Sequence, residues 1–245
     1  MTLIEWGAGG FIAGAIAGSF IATLAVRWPS GKATNGRSEC DTCTVQLRWF
    51  ELVPLISFII LRGKCRRCGA KITREHFLIE LICALIGALA LIMVPGGEGV
   101  AGAYFGWLLV ALAILDFRYF WLPDRLTFLL GATGFLTGAL GLYPSLSDRM
   151  IGGAVGYTVL RLIAWGYYRL RGQRGMGAGD PKMLGAIGLW LGWQVLPFVL
   201  LGASMVGLAL ILVQFFRKPP VTAQTRLPLG GMMAVAAFPI WLFIR

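Results

Sequence analysis

The chain has 245 residues, 58% of them hydrophobic and 13% charged, with a mean hydropathy of +0.76 and a net charge of +11. This balance excludes an ordinary soluble domain, because too few polar residues are available to face water. A nucleic-acid role would need a soluble basic domain, and membrane topology accounts for the positive charge without one.

Runs of about 20 apolar residues cross a bilayer as helices, since only helices or closed barrels satisfy their backbone polar groups in lipid. Spans are predicted at 5–26, 77–94, 100–117, 126–143, 150–168, 183–195, 197–216 and 228–244, the sixth being the shortest. Trp6 to Val26 is long enough to span and is followed by Arg27 rather than a signal-peptidase site, so it is expected to stay as the first span. The chain then divides into a first transmembrane helix (1–26), a polar loop domain (27–76) and a transmembrane bundle (77–245). The loops at 27–76, 117–125, 169–182 and 217–227 carry ten, two, four and three Lys/Arg, all on one face. Arg161 lies within a span, and only Arg149 and Arg245 fall on the other face. The positive-inside rule makes the richer face cytoplasmic and both termini extracytoplasmic.

Glycine-rich runs from Gly7 to Gly18 and from Gly131 to Gly141 point to close helix packing within lipid. The tryptophans read mostly as interface anchors, notably Trp6, Trp28, Trp121 and Trp241, and the single histidine, His76, as an interfacial residue.

The 27–76 loop holds Cys40-Asp-Thr-Cys43 and Cys65-Arg-Arg-Cys68, two Cys-x-x-Cys pairs with twenty-one residues between them. Each pair lets two thiolates converge on one ion, and four sulfurs close a tetrahedral shell of the kind that holds a structural zinc. Lys64, Arg66 and Arg67 favour the thiolate form. Disulfides or merely reduced cysteines are the alternatives, the former disfavoured in the cytoplasm. Cys83, inside an apolar helix, reads as packing. Trp49 to Leu61 is apolar but too short to span, and is expected to dip into the interface or pack on the bundle.

Only eleven residues are acidic, and Glu5, Glu80, Asp116, Asp124 and Asp180 lie within or at the ends of predicted spans, where an ionisable group is costly unless paired or protonated. Asp116 closes the third span ahead of Pro123-Asp124; Asp180 follows Gly177-Ala-Gly179 and precedes Pro181-Lys182. Topology brings both to the cytoplasmic face at one depth. Two such carboxylates would share a proton and act as general base and general acid in peptide hydrolysis. The competing reading makes them helix-end residues, solvated or paired with Arg118 and Lys182. Asp124 is expected to be the N-cap of the fourth span. A proton- or cation-coupled transporter using the same aspartates is the rival from another class, but it would favour mid-bilayer charges and inverted repeats.

These residues together resemble the bacterial type IV prepilin peptidases, members of the Gly-x-Gly-Asp aspartyl proteases. Gly18-Ser19-Phe20, Arg27-Trp28-Pro29, the cysteine pairs, Leu61-Arg62-Gly63-Lys64-Cys65, Glu80-Leu81, Asp116 with Pro123-Asp124, and Gly177-Ala-Gly179-Asp180 with Lys182 follow the family's order. The resemblance implies an all-α polytopic bundle of about eight helices with a small zinc-binding loop. It also implies Asp116 and Asp180 as the catalytic pair, supported by Pro123, Asp124, Gly177, Gly179 and Lys182. The substrates implied are type IV prepilins or type II secretion pseudopilins, cut after a glycine at the cytoplasmic face of the inner membrane. Many relatives also methylate the new N-terminus with S-adenosylmethionine. Here Ala22 replaces the family's asparagine, and Arg74-Glu75-His76-Phe77 replaces its Arg-Tyr-Pro segment, so a peptidase with or without methyl transfer is implied.

Overall fold

A computed structural model describes residues 2–29, 31, 39–40, 42–173, 175–216 and 227–245. Six residues of the basic loops, Lys32, Arg37, Arg174, Arg217, Lys218 and Arg226, lie outside the described residues, as does Asp41 between the first two cysteines. The described chain is helical, with two isolated antiparallel bridges and no named strand. Its helices are α1 (Leu3–Arg27), α2 (Ile56–Ile60), α3 (Arg74–Met93), α4 (Gly97–Tyr119), α5 (Asp124–Ala139), α6 (Leu146–Arg171), α7 (Asp180–Leu191), α8 (Leu196–Phe215) and α9 (Leu229–Phe243).

Each predicted span coincides with one of the eight long helices. By length and composition α1, α3, α4 and α8 can cross a membrane, and α9 is a shorter apolar helix. The count of eight crossings stands as an expectation. The contacts divide the chain into two compact units, Met1–Trp107 and Leu108–Arg245.

In the first unit α1 begins with a capping box. Glu5 N–H donates to Thr2 Oγ1, and Thr2 N–H returns to Glu5 Oε2, so Glu5 serves the helix end. α1 then packs on α3 through small residues. A Cβ built on Gly18 would lie 2.7 Å from Glu80 Cα and 3.0 Å from Cys83 Cβ, so only glycine permits this approach. Cys83 is fully buried, as its packing role requires.

The apolar segment between the cysteine pairs uses this helix pair as its floor. Leu55 is buried with Ala15 and Ala84, beside Phe11, Phe77 and Leu81. Its N–H donates to Glu80 Oε2 at 2.9 Å, which fixes a turn in which Leu55 holds φ at +62°. Phe58 stacks on Phe77 with centroids 4.9 Å apart. The segment therefore packs on the helices while Ile56, Ile59 and Ile60 stay exposed.

In the second unit the shortest helix is the central one. Ten of the twelve residues of α7 are buried, because α5 and α6 approach it through glycines. A Cβ on Gly134 would lie 2.6 Å from Trp190 Cδ1, and one on Gly156 2.8 Å from Leu184 O. Trp190 Nε1 donates to Leu130 O at 2.7 Å, tying α7 to α5. α7 ends at Gly192, which holds φ at +79°.

Arg149, at the start of α6, has none of its surface exposed. Its guanidinium donates to Pro144 O at 3.0 Å, Gly134 O at 2.9 Å, Leu189 O at 3.1 Å and Tyr143 O at 2.7 Å, and lies over the Trp190 ring. It thereby satisfies the Leu189 carbonyl in the last turn of α7 and the Tyr143 and Pro144 carbonyls between α5 and α6, and also reaches Gly134 O inside α5. Trp241, expected at an interface, is instead fully buried against Phe238, because α9 packs on α7 and α8.

Arg149→Leu removes all these donors at once and leaves several buried carbonyls unpaired. It should lower stability by about 3 kcal/mol or more. Thermal unfolding in detergent, compared with the exposed control Arg161→Leu, tests this; an unchanged midpoint for Arg149→Leu would contradict the stapling role.

Candidate functional site

Two sites are built by this fold, one in each unit. In the second unit α4 reaches Asp116 in its last turn, where the carboxylate is buried. The chain then turns at Phe120, with φ at +50°, and restarts as α5. Pro123 is the N-cap of α5, and Asp124 is its first residue rather than the cap. Proline can cap because it has no N–H to lose, and its carbonyl accepts from both Thr127 N–H and Thr127 Oγ1. Asp124 instead pairs with Lys182, Nζ to Oδ1 at 2.6 Å. With side chains 73% and 44% exposed, this pair contributes about 0–1 kcal/mol, so its value is in aligning the starts of α5 and α7.

Asp180 opens α7 and is also buried, with Pro181 as the next residue. Its Oδ2 accepts Gly177 N–H at 3.0 Å. The two glycines of the motif serve different ends: Gly177 supplies that N–H, while a Cβ on Gly179 would meet Leu122 Cβ at 2.9 Å. Lys182 turns to Asp124, so the reading in which Lys182 pairs with Asp180 is not realised.

The groups that join the aspartates lie on α9. Gly231 N–H donates to Asp116 Oδ2 at 2.6 Å, and the Gly230 N–H acts on both carboxylates. The Asp116 charge in turn is felt at Asp180. These N–H groups belong to the first turn of α9, where they have no intrahelical partner and carry the positive end of the helix dipole. The sequence reading missed Gly230 and Gly231. The available signal was Pro228-Leu-Gly-Gly at the head of an apolar run, the composition of a helix start whose backbone is approached closely. Leu122 packs beneath: a Cβ on Gly230 would lie 2.5 Å from Leu122 Cδ1 and 3.1 Å from Asp116 Oδ2. Two adjacent carboxyls, one able to accept a proton while the other donates one, are equipped for general acid–base hydrolysis.

In the first unit the two cysteine pairs repeat one hydrogen-bond pattern. Cys40 N–H donates to Val45 O and Thr44 N–H to Cys40 O; Cys65 N–H donates to Ala70 O and Gly69 N–H to Cys65 O. The residue after each pair is left-handed, Thr44 at φ +53° and Gly69 at φ +69°. Each turn is closed by one bridge, Glu39 to Gln46 and Lys64 to Lys71.

The four sulfurs lie within 4.8 Å of one another and all are free thiols, so disulfides are not formed. Cys40 Sγ is 3.8 Å from Cys68 Sγ. Sulfurs about 2.3 Å from one ion in a tetrahedron stand about 3.8 Å apart, so the donor set fits a metal. The Cys43 and Thr42 backbone N–H groups pull the Cys40 thiol down to about 6. The Ala70 backbone N–H also pulls at Cys68, but desolvation and the other thiols push it up to about 11. Four crowded thiols cannot all ionise without a cation among them.

Comparison with known proteins agrees with this division of the chain. Residues 12–94 match the bacterial peptidase A24 N-terminal domain, and residues 103–212 match the type IV leader peptidase family. The prepilin leader peptidase/N-methyltransferase of Aeromonas hydrophila is 40% identical over 207 residues, 82% of this chain and 70% of that protein. The protein of that name from Stutzerimonas stutzeri is 37% identical over 86% of this chain and 74% of its own length. The one from Pseudomonas aeruginosa is 35% identical over 82% and 69%. No solved structure matches. With matching models in both parts and this level of identity over most of its length, the chain belongs to the type IV leader peptidase family.

Proposed function

We propose that this protein is a membrane aspartyl endopeptidase that removes the leader of type IV prepilins or type II secretion pseudopilins after a glycine, and that it methylates the new N-terminus with S-adenosylmethionine. The observation that carries the peptidase half is the burial of Asp116 and Asp180 close enough to feel one another's charge, Asp116 held by the Gly231 N–H at the start of α9 and Asp180 by the Gly177 N–H. The relatives named for both activities support the transferase half. The two sequence departures, at Ala22 and Arg74–Phe77, lie outside both aspartate motifs. No observation favours the transporter reading.

In this mechanism one carboxylate takes a proton from water as the water oxygen attacks the scissile carbonyl carbon. The other, protonated, gives its proton to the carbonyl oxygen. As the tetrahedral gem-diol breaks down, the first carboxyl gives its proton to the leaving amine while a gem-diol hydroxyl returns a proton to the second, so the pair ends as it began. Hydrogen bonds from α9 and from Gly177 hold the carboxylates in position throughout, so little reorganisation is needed at the moment of reaction.

The excess of Lys/Arg in the loops supports a cytoplasmic active site in the bacterial inner membrane, with a basic leader kept in the cytoplasm and the following apolar helix in lipid. Zinc is the metal that best suits Cys40, Cys43, Cys65 and Cys68. Its d10 shell takes four thiolates tetrahedrally without redox chemistry, and the site's role is to hold the two knuckles together.

Asp116→Asn and Asp180→Asn should each lower leader cleavage by about a thousandfold while the protein still inserts. N-terminal analysis of a co-expressed prepilin reads this out, and cleavage at the wild-type rate by either variant overturns the assignment. Metal analysis of purified protein should find about one zinc per chain, lost in Cys65→Ser and Cys68→Ser. Zinc retained in both variants would remove the four-cysteine assignment.

A further inference from the structure

The apolar segment between the cysteine pairs lies deeper than a surface loop. Arg48 precedes it and Arg62 follows it, both exposed, and within residues 49–61 the one charged residue is Glu51. Its contacts with α3 descend as the chain nears Leu55. Phe58 stacks on Phe77, the Leu55 N–H reaches Glu80, and the Leu55 side chain is buried with Ala84 and, on α1, Ala15. Both α1 and α3 are long and apolar enough to cross a membrane. The apolar run of α3 starts at Phe77, after Arg74-Glu75-His76, and Ala84 stands seven residues further on. Along a helix that distance is about 10 Å, which is roughly a third of the way through a hydrocarbon core.

Non-helical backbone at such a depth is stable only where its polar groups are satisfied within the protein or line a wet cavity. This turn meets both conditions. Pro54 has no N–H to satisfy; Leu55 N–H donates to Glu80 Oε2 at 2.9 Å, Ile56 N–H to Pro54 O at 2.6 Å and Ser57 N–H to Val53 O at 3.0 Å. The chain then climbs back through α2 toward Arg62, with Ile59 N–H on Leu55 O and Leu61 N–H on Ser57 O. On the side facing the helices, Glu51, Ser57 and Glu80 border a polar cavity of ≈ 210 Å3 between the last turns of α1 and the first turns of α3. On the other side Ile56, Ile59 and Ile60 are each more than half exposed, and Trp49 is 80% exposed where the segment begins. Three uncovered isoleucines on a five-residue helix, seated against two membrane-crossing helices, match acyl chains. The flanking arginines match lipid phosphates, and the tryptophan matches the layer between.

We propose that residues 49–61 form a re-entrant membrane segment, entering and leaving on the side of the cysteine knuckles, with Ile56, Ile59 and Ile60 covered by the acyl chains of that leaflet. Glu80 is its positioning residue, because it accepts the N–H at the tip of the turn that the segment does not pair by itself. The segment thereby anchors both knuckles at the membrane surface.

Nitroxide side chains attached through a ketone-bearing amino acid test this in the full-length protein, in lipid nanodiscs and with the native cysteines intact. They are placed singly at Ile56 and Ile59, with Leu85, exposed on α3, as the lipid-facing reference and Gln173, exposed after α6, as the aqueous one. In power-saturation measurements the labels at Ile56 and Ile59 should respond to oxygen as at Leu85 and lose the response to a water-soluble nickel chelate seen at Gln173. A nickel response equal to that at Gln173 would put the segment in water and overturn re-entry. Access to neither reagent would put a protein surface over the isoleucines and overturn the lipid contact. Glu80→Ala strands the Leu55 N–H and should restore the nickel response at Ile59, whereas Glu80→Gln keeps an acceptor and should not. Unchanged access in Glu80→Ala would overturn the positioning role of Glu80.

Discussion

Two neighbouring buried carboxylates, Asp116 held by an opening N–H of α9 and Asp180 by the Gly177 N–H, form the constraint around which the second unit is arranged. A carboxylate taken from water needs donors in its place, and a helix N-terminus supplies several at once, already oriented. Gly230 and Gly231 allow this because their backbones are unobstructed on the side that faces Asp116. The remaining parts follow from fixing three chain segments at that point. α4 ends on Asp116, α7 starts on Asp180, and Leu122, from the turn between α4 and α5, fills the space beside Gly179 and Gly230. The far end of α7 is secured by Trp190 and by Arg149, which leaves Asp180 little freedom to drift.

The first unit solves a different problem with related means. Its loop is too small to build a core of its own, so it borrows one from α1 and α3 and gathers its four cysteine sulfurs within 4.8 Å of one another. Leu55 and Phe58 are the inserted side chains, and the Glu80 carboxylate receives the backbone N–H exposed by the turn. Glu80 thus has a structural partner on one oxygen and a polar cavity beside it, which is how α3 accommodates a buried acidic residue.

Much of this was legible from residue order. The helices follow the apolar runs, the cysteine spacing gives the cluster, and the scarcity of acids marks Asp116 and Asp180. What escaped was set by contacts distant in sequence. Asp124 had the residue type of an N-cap, but Pro123 occupies that position and Lys182, fifty-eight residues away, takes the carboxylate. Trp241 had the position of an interface anchor, yet helix packing buries it. Gly230 and Gly231 offered no chemistry of their own, since their function lies in backbone N–H groups common to every residue but proline.

The central claim is that α9 holds the proposed catalytic pair together, and a substitution on α9 that leaves both aspartates intact tests it most directly. A valine side chain at Gly230 would be forced against Leu122 and Asp116. Leader cleavage by Gly230→Val, measured on protein confirmed to be inserted in the membrane, should be lost. Cleavage at the wild-type rate would show that the α9 N-terminus does not organise the pair.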